Sequence, residues 1–302
     1  MTENAVFLVN PASANGATAK RWPAMERRAR ELGLAGETLT SERAGQLTEL
    51  ARGVAGDGRL VVVVGGDGTL NEVVNGLAGS DAELAVLPNG TGQDFGRTHA
   101  IPTRFDDAVA VAVGGLARAV DLGRATFQTP GGEQSRVFAN VGSVGMSGAV
   151  ARRANSMSKA LGGRATFYYA LAREFAVWKN TEVTVTHDGG ERRGRMHDVI
   201  LANGRWHGGG MKLAPDASPE DGLFDVVLIG DVTKLDFITT SPKLYKGGHV
   251  HHPRIDVLRS ATVTVDAAVP LPLELDGELS GTTSVRFETL PAALRVRVPR
   301  SR

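Results

Sequence analysis

The chain has 302 residues, of which 42% are hydrophobic and 22% charged, and its formal net charge is +1. This length allows one large domain or two smaller ones with a sizeable buried core. The near-zero net charge argues against a nucleic-acid partner, and the absence of cysteine excludes disulfides and thiolate metal sites and fits the reducing cytoplasm. No apolar run approaches the roughly 18 residues that a membrane-spanning helix needs, so we expect no transmembrane segment and only peripheral membrane contact.

The first 122 residues alternate short apolar runs with helical stretches. Strands are predicted at Ala5–Val9, Gly36–Thr40, Leu60–Val64 and Leu84–Leu87. Helices are predicted at Ala17–Leu32, Gln46–Val54, Asn71–Leu77 and Phe105–Val113. Strands that alternate with helices are typical of right-handed βαβ crossovers. We therefore expect residues 1–122 to form an α/β domain with a parallel, Rossmann-like sheet that binds a nucleotide.

The pattern changes after Asp121-Leu122-Gly123. Thr181–His187 and Ala261–Asp266 alternate polar and apolar residues with period two, which is typical of half-buried antiparallel strands. One helix is predicted at Ala165–Trp178, and a last strand at Leu294–Val298. These patterns predict a β-rich sandwich domain over residues 123–302, and the final segment, about 285–302, is a candidate to return to the first domain. Its edge strands offer a surface for a homodimer.

A glycine-rich stretch, Gly65-Gly66-Asp67-Gly68-Thr69-Leu70-Asn71-Glu72, follows the apolar run Val61–Val64. A strand that leads through glycines into a helix presents backbone N–H groups to a phosphate, because glycine allows close approach and the helix N-terminus favours an anion. The spacing matches neither the Walker A pattern nor G-x-G-x-x-G. The alternative is a plain tight turn with Thr69 as the helix N-cap. The continuation into Thr-x-Asn-Glu favours the phosphate site.

Several ordered motifs resemble one family. Gly65–Leu77 is similar to the signature of the diacylglycerol kinase catalytic-domain family, which includes bacterial lipid kinases and sphingosine kinases. Four further stretches match that family in order, namely Asn10–Ala14, Leu87–Arg97, Gly209–Val226 and Gly247–Pro253, and Asp276-Gly277-Glu278 completes the set. Two positions depart from the pattern: Gln93 stands where the family usually has Asn, and Asn89 replaces a commoner apolar residue or Arg. The longer Gln93 amide puts the local geometry in question.

The resemblance implies a nucleotide fold of the NAD kinase and diacylglycerol kinase type, and it implies contacts to ATP. The implied ATP-binding residues are Asn10, Pro11, Ala12, Ser13, Ala14, Thr40, Gly66, Asp67, Gly68, Thr69, Leu70, Asn71, Glu72 and Thr91. Asn10 and Ser13 follow the first strand, at the carboxyl edge where open α/β sheets bind ligands. Thr91 lies between two glycines and offers a hydroxyl to phosphate. For Thr40 the alternative is that it simply ends a strand.

Two carboxylates, Asp67 and Asp94, lie in the predicted phosphate-side loops. Transfer from a triphosphate needs Mg²⁺, which prefers carboxylate, phosphate and water oxygens, so both are candidates to organise that ion. The alternative for each is a carboxylate that accepts backbone N–H bonds within its own loop. Asp67 is also predicted to be a catalytic residue.

The triplet Asp276-Gly277-Glu278 is the candidate catalytic turn. A lipid hydroxyl that attacks the γ-phosphate must lose a proton, and a positioned carboxylate can accept it. The resemblance implies that Glu278 is this general base and that Asp276 supports it. Taken alone, a D-G-E triplet is an ordinary exposed turn, and only its combination with the glycine-rich stretch supports the catalytic assignment.

The stretch Ser218–Leu223 resembles a structural Mg²⁺ loop of the bacterial family members. There Asp221 would supply a side-chain oxygen, while Ser218 and Leu223 would supply carbonyl oxygens. Hard cations accept such mixed oxygen ligands. The alternative is a plain Asp-Gly turn.

These motifs predict an ATP- and Mg²⁺-dependent kinase that phosphorylates a primary hydroxyl of a lipid such as diacylglycerol, at the membrane surface, as a step of phospholipid biosynthesis. Two alternatives are an NAD kinase-like enzyme with a soluble substrate and a nucleotide-binding regulator without turnover. NAD kinases share G-G-D-G-T, but they are not expected to carry Gly90-Thr91-Gly92-Gln93-Asp94-Phe95 or the late D-G-E. A regulator would be expected to have lost Glu278 or Asp67, and both are present.

Overall fold

The computed structural model describes residues 2–90, 92–157 and 163–300. The chain divides into two units: unit 1 contains residues 1–122 and 291–302, and unit 2 contains residues 123–290. Two long strands, β5 (Leu116–Thr129) and β16 (Val285–Val298), contribute residues to both units. Unit 1 is therefore discontinuous in sequence.

Unit 1 is an α/β unit. Its strands are β1 (Thr2–Val9), β2 (Leu34–Thr40), β3 (Leu60–Gly65) and β4 (Glu83–Pro88). Its helices are α1 (Ala17–Glu31), α2 (Gln46–Val54), α3 (Asp67–Leu77), α4 (Asp94–Thr98) and α5 (Phe105–Gly114), and a short 3-10 turn spans Ser13–Gly16. The strands run parallel in the order β2-β1-β3-β4, and the end of β16 joins parallel to β4. The predicted parallel sheet is confirmed.

The core of unit 1 explains why these strands form. All six residues of β3 are buried, as a strand covered on both faces requires. On one face Phe7 and Trp22 meet with ring centroids 5.1 Å apart, in a cluster that includes residues of β1, β3, β4 and α5. On the other face α2 and α3 pack together. The sheet is thus fixed between helices, and the loops at the carboxyl ends of its strands are held in place.

Unit 2 is built from antiparallel strands. Its strands besides β5 and β16 are β6 (Gly132–Phe138), β7 (Val141–Gly145), β8 (Thr181–His187), β9 (Gly190–Met196), β10 (Asp198–Ala202), β11 (Phe224–Ile229), β12 (Ile255–Ser260), β13 (Thr262–Ala267), β14 (Pro272–Leu275) and β15 (Glu278–Thr282). Its helices are α6 (Met146–Ser156), α7 (Gly163–Val177) and α8 (Lys234–Leu244), with a 3-10 turn at Gly248–His251.

The strands of unit 2 form a sandwich. In unit 2 one sheet has the order β16-β13-β8-β9, with β5 also paired to β16 and β6 paired to β5. The other sheet has the order β12-β11-β10-β7-β14-β15. One apolar cluster joins residues from both sheets, among them Val185, Phe287, Leu201 and Leu275. The predicted β-sandwich is confirmed. The edge strand β9 carries three arginines and a glutamate, and a charged edge resists strand-to-strand pairing. A homodimer stays a prediction.

Candidate functional site

The four parallel strands of unit 1 end at one edge of the sheet, at Val9, Thr40, Gly65 and Pro88. Open α/β sheets bind ligands outside the carboxyl ends of their strands. The loops that follow β1, β3 and β4 contain most of the predicted ATP-binding residues. The geometry of these loops therefore decides which of the residues come together.

The glycine-rich stretch forms the turn between β3 and α3. β3 ends at Gly65, Gly66 is extended with φ −100° and ψ −170°, and α3 begins at Asp67. The alternative with Thr69 as the N-cap is wrong, because the N-cap is Gly66, three residues earlier, and Thr69 is buried in the first turn of α3. The N-cap residue of α3 is Gly66, which has no side chain to cap this helix end. The first N–H groups of a helix lack intrahelical acceptors and carry partial positive charge, so this end suits an anion.

The loop after β4 lies against this turn. The Asn89 N–H donates to the Gly65 carbonyl at 2.9 Å. A Cβ added at Gly90 would lie 2.7 Å from the Gly66 Cα, and a Cβ added at Gly92 would lie 2.1 Å from Asp67 Oδ2. The two loops therefore approach as closely as glycine permits, which explains the glycines in both motifs. Thr91 lies outside the described residues.

Asp67 and Asp94 are brought together by this approach. Asp67 is half-buried, and its Oδ1 accepts the Asp94 N–H at 3.2 Å. Its Oδ2 lies in the space that a side chain at position 92 would take. The buried Asp94 carboxylate is 2.6 Å from the Arg97 guanidinium, one helical turn along α4. Asp67 thus presents an oxygen beside the glycines, whereas Asp94 is charge-balanced by Arg97, a residue that the sequence analysis missed although its i, i+3 spacing was visible.

The loop after β1 is held to the same edge. Asn10 Nδ2 donates to Thr69 Oγ1 at 3.3 Å, and Asn10 Oδ1 accepts the Ala12 N–H at 3.0 Å. Ser13 Oγ donates to the Asn10 carbonyl at 2.8 Å and lies 2.6 Å from Thr18 Oγ1. The segment Asn10–Ala14 is therefore ordered by its own polar groups and joined to the first turn of α3. The departure at Asn89 has a partner as well, since its side-chain amide donates to Thr18 Oγ1 at 2.7 Å.

Other predicted residues have different surroundings. Thr40 is the exposed last residue of β2, in agreement with the alternative that it simply ends a strand. Glu72 Oε2 accepts the Leu47 N–H at 3.2 Å, at the start of α2, so this carboxylate stabilises the packing of α2 on α3. Leu70 and Asn71 are buried in α3. Gln93 has φ +58°, and its side-chain amide donates to the Gly90 carbonyl at 3.0 Å, which shows where the longer side chain is accommodated.

The D-G-E turn connects β14 to β15 in unit 2. Asp276 has φ +49°, and its carboxylate accepts three backbone N–H groups, from Ala139 at 2.7 Å, Asn140 at 2.9 Å and Val141 at 3.0 Å. Asp276 therefore anchors the turn to the start of β7. Glu278, the first residue of β15, is exposed.

A further acid, Glu274, lies beneath this turn and was not singled out from the sequence. It is buried on β14, and its carboxylate accepts the Ser143 hydroxyl at 2.7 Å and the Gly277 N–H. Burial raises the pKa of the Glu274 carboxyl, and the nearby His207 acts in the opposite direction. The visible signal was an acid within the apolar run Leu271–Leu275.

The Ser218–Leu223 loop is closed by its own contacts. Asp221 Oδ1 accepts the Leu223 N–H at 3.1 Å, and its Oδ2 is paired with the Arg259 guanidinium. Burial raises the pKa of the neighbouring Asp225. Over the described ranges, no cluster of three or more His, Cys, Asp or Glu side chains is suited to a metal ion. Both Asp221 oxygens therefore have partners within unit 2, and the Mg²⁺ site at Ser218, Asp221 and Leu223 stays a prediction.

Comparison with known proteins places these features in a family. Residues 4–125 match the model of the diacylglycerol kinase catalytic domain, and residues 140–298 match the model of the YegS C-terminal NAD kinase beta sandwich-like domain. A diacylglycerol kinase of Mycobacterium tuberculosis is 30% identical, over 97% of this chain and 94% of that protein.

Solved structures share the fold. The crystal structure of a diacylglycerol kinase from Bacillus anthracis has a TM-score of 0.73 at 19% identity, over 98% of this chain and 97% of that one. Yeast NADH kinase complexed with NADH has a TM-score of 0.54 at 11% identity, over all of this chain and 84% of that one. Among the described residues, no helix is long and apolar enough to cross a bilayer.

Proposed function

The chain belongs to the diacylglycerol kinase catalytic-domain family of lipid kinases, and from that premise we propose that it transfers the γ-phosphate of ATP to a primary hydroxyl of a lipid such as diacylglycerol. The observation that carries the proposal is the close approach of Gly66 and Gly90 at the start of α3, where Gly66 is the N-cap residue. Such a site accommodates a polyphosphate, because its walls are backbone and its N–H groups point outward.

Each group of residues has a role in this proposal. The first turn of α3 and the loops after β1 and β4 bind the phosphates. Asp67 would hold the cation through the oxygen that faces Gly92. Mg²⁺, when bound, neutralises charge that develops on the transferred phosphoryl group. Glu278 accepts the proton of the lipid hydroxyl, and Asp276 holds the turn through its three backbone hydrogen bonds. Asp94 keeps its loop in place through Arg97 and Asp67.

The experiment that tests this proposal is phosphate transfer from labelled ATP to a panel of hydroxylated lipids in mixed micelles, with NAD as the competing acceptor. We expect label in lipid and none in NAD. Transfer to NAD alone would establish the soluble-substrate alternative. ATP binding without transfer to any acceptor would support the alternative of a nucleotide-binding regulator without turnover. Either result contradicts the proposed function.

We assign the peripheral membrane contact to an apolar surface of unit 2. The rings of Phe175 on α7 and Phe237 on α8 stack at 4.4 Å, and Lys234 donates to the Ala176 carbonyl, so the end of α7 meets the start of α8. Both helices carry large apolar side chains that are exposed. These residues, Tyr169, Val177, Leu235 and Ile238, define the α7–α8 apolar face, and Val177, Leu235 and Ile238 are 61%, 69% and 60% exposed.

The charges beside the α7–α8 apolar face fit an anionic bilayer. Arg173, Lys179 and Lys234 adjoin it along the chain. The acids in the same helices are engaged elsewhere: Glu174 is buried against Arg153, and Asp236 pairs with Arg254. Apolar side chains flanked by cations are typical of surfaces that lie in the headgroup region of a membrane.

The double substitution Leu235→Glu/Ile238→Glu is expected to weaken binding to vesicles of phosphatidylglycerol and phosphatidylcholine by about tenfold or more, because it removes two insertable side chains and adds negative charge. Vesicle co-sedimentation measures this. The matched control is Val257→Glu on β12, where an apolar side chain is 44% exposed outside this face. Equal binding of the double variant and the control would contradict the assignment.

A further inference from the structure

Glu274 occupies an unusual place for an acid. It is only 1% exposed, on β14, which pairs with β7 on one side and β15 on the other. Its neighbours along the strand, Leu273 and Leu275, pack into the sandwich core. Glu274 lies on the opposite face of the sheet, in register with Ser143 of β7. Burying a carboxyl costs free energy unless its oxygens are satisfied, so its contacts explain what keeps it there.

The two hydrogen bonds of Glu274 go to the D-G-E turn and to the neighbouring strand β7. One oxygen accepts the Ser143 hydroxyl at 2.7 Å. The other accepts the N–H of Gly277, the central residue of the turn, and lies 3.5 Å from His207 Nε2. The Asp276 carboxylate accepts three backbone N–H groups at the start of β7, and Glu274 adds a separate hydrogen bond from the Gly277 N–H. The Asp276–Gly277 peptide, one residue before Glu278, is thus held through its N–H by Glu274, and the Asp276 side chain holds the same turn against β7.

We propose that Glu274 is a positioning residue for the general base: its hydrogen bond to the Gly277 N–H fixes the direction in which Glu278 leaves the turn. This inference rests on the proposed function, in which Glu278 receives the proton of the lipid hydroxyl. Glu274 does not touch the reacting atoms. Its effect on the rate comes from orientation, where a displacement of about 1 Å can change a rate by as much as 100-fold.

Two variants separate this role from a role in folding. Glu274→Gln keeps an oxygen that accepts the Gly277 N–H and an amide that reaches Ser143, whereas Glu274→Leu keeps the approximate size and removes both hydrogen bonds. We expect Glu274→Leu to lower kcat by about tenfold or more with KM for ATP nearly unchanged, because ATP is bound in unit 1. Glu274→Gln is expected to retain a kcat within about threefold of the wild type.

Amide hydrogen exchange supplies a measurement that needs no catalysis. Exchange of the turn Asp276–Leu279 is expected to become faster in Glu274→Leu and to stay near wild-type in Glu274→Gln. The matched control is Glu174→Leu, which removes another buried glutamate of unit 2 whose partner is Arg153. It is expected to leave exchange in the turn unchanged.

The outcomes distinguish this inference from the proposed function. If the wild type phosphorylates no lipid, the proposed function fails, whatever the exchange rates show. If the wild type is active but Glu274→Leu keeps a protected turn and a wild-type kcat, the positioning role is wrong. The positioning role is also overturned if Gln and Leu lose activity equally, or if the loss is found in KM for ATP rather than in kcat.

Discussion

Replacing Glu278 with alanine is expected to lower kcat for lipid phosphorylation by about 10²- to 10⁴-fold, the usual contribution of a general base. The side chain is exposed on the first residue of β15 and belongs to unit 2, whereas the proposed phosphate-binding loops belong to unit 1. ATP binding should therefore persist. Isothermal titration with a non-hydrolysable ATP analogue and steady-state kinetics on micelles measure the two quantities separately.

Two further variants make this test specific. Glu278→Gln should lose as much activity as Glu278→Ala, because an amide keeps the shape of the side chain but accepts no proton. Glu182→Ala, which removes an exposed glutamate from β8 of the same unit, should retain wild-type kcat. A wild-type kcat in Glu278→Ala would show that another group accepts the proton.

Replacing Gly90 with alanine is expected to raise KM for ATP by about tenfold or more, because its methyl group would lie 2.7 Å from the Gly66 Cα and 3.3 Å from the Gly66 nitrogen. The loops after β3 and β4 must then separate. Their backbone N–H groups would no longer point toward the same phosphate. The substitution lies in a loop at the sheet edge, so the fold should persist. The rise in melting temperature on adding ATP, which reports binding by mass action, should shrink accordingly.

The matched control for this substitution is Gly53→Ala in the last turn of α2, where an added Cβ meets nothing within 4 Å. Alanine in place of glycine in a helix favours the folded state by about 0.5–1 kcal/mol, so this variant should be at least as stable as the wild type. Its KM for ATP should be unchanged. Wild-type ATP affinity in Gly90→Ala would mean that the contact between the two loops does not form the phosphate site.

The regular elements were predictable where the hydrophobic pattern is local. The bounds of α2 (Gln46–Val54) and β8 (Thr181–His187) agree residue for residue with the sequence patterns. The helix predicted from Asn71 begins at Asp67, because Asp67 and Gly68 were counted with the turn. The strands β7, β10 and β14 of the sandwich were not predicted individually, because they are buried on both sides and show no alternation.

The candidate site was predictable to the extent that topology determines it. Asn10, Gly66 and Gly90 follow three neighbouring parallel strands, so their loops had to meet at one edge. Glu72 shows the limit of this argument. It continues the glycine-rich motif in sequence, but the turn of the helix directs its carboxylate to the N–H of Leu47, 25 residues away in the chain. No local pattern reveals such a partner.

Two further polar contacts between residues distant in sequence were missed for the same reason. Arg259 pairs with Asp221 from a position 38 residues away, and Ser143 bonds Glu274 across 131 residues. Strand register places Glu274 opposite Ser143, and the pairing of β11 with β12 places Arg259 beside the loop that contains Asp221. A single sequence does not contain the register. Asp94 and Arg97 differ because they lie three apart within one helix, a spacing at which side chains are neighbours.

The discontinuity of unit 1 has a consequence for how the chain is made. The strand segment that pairs with β4, at Arg295 and Val296, is synthesised after all of unit 2. At typical translation rates this delay is roughly 10 to 30 s. During that interval one edge of β4 has no strand partner, and an open strand edge is a template for wrong pairing. We expect the nascent α/β unit to need protection by a chaperone until its own last strand emerges from the ribosome.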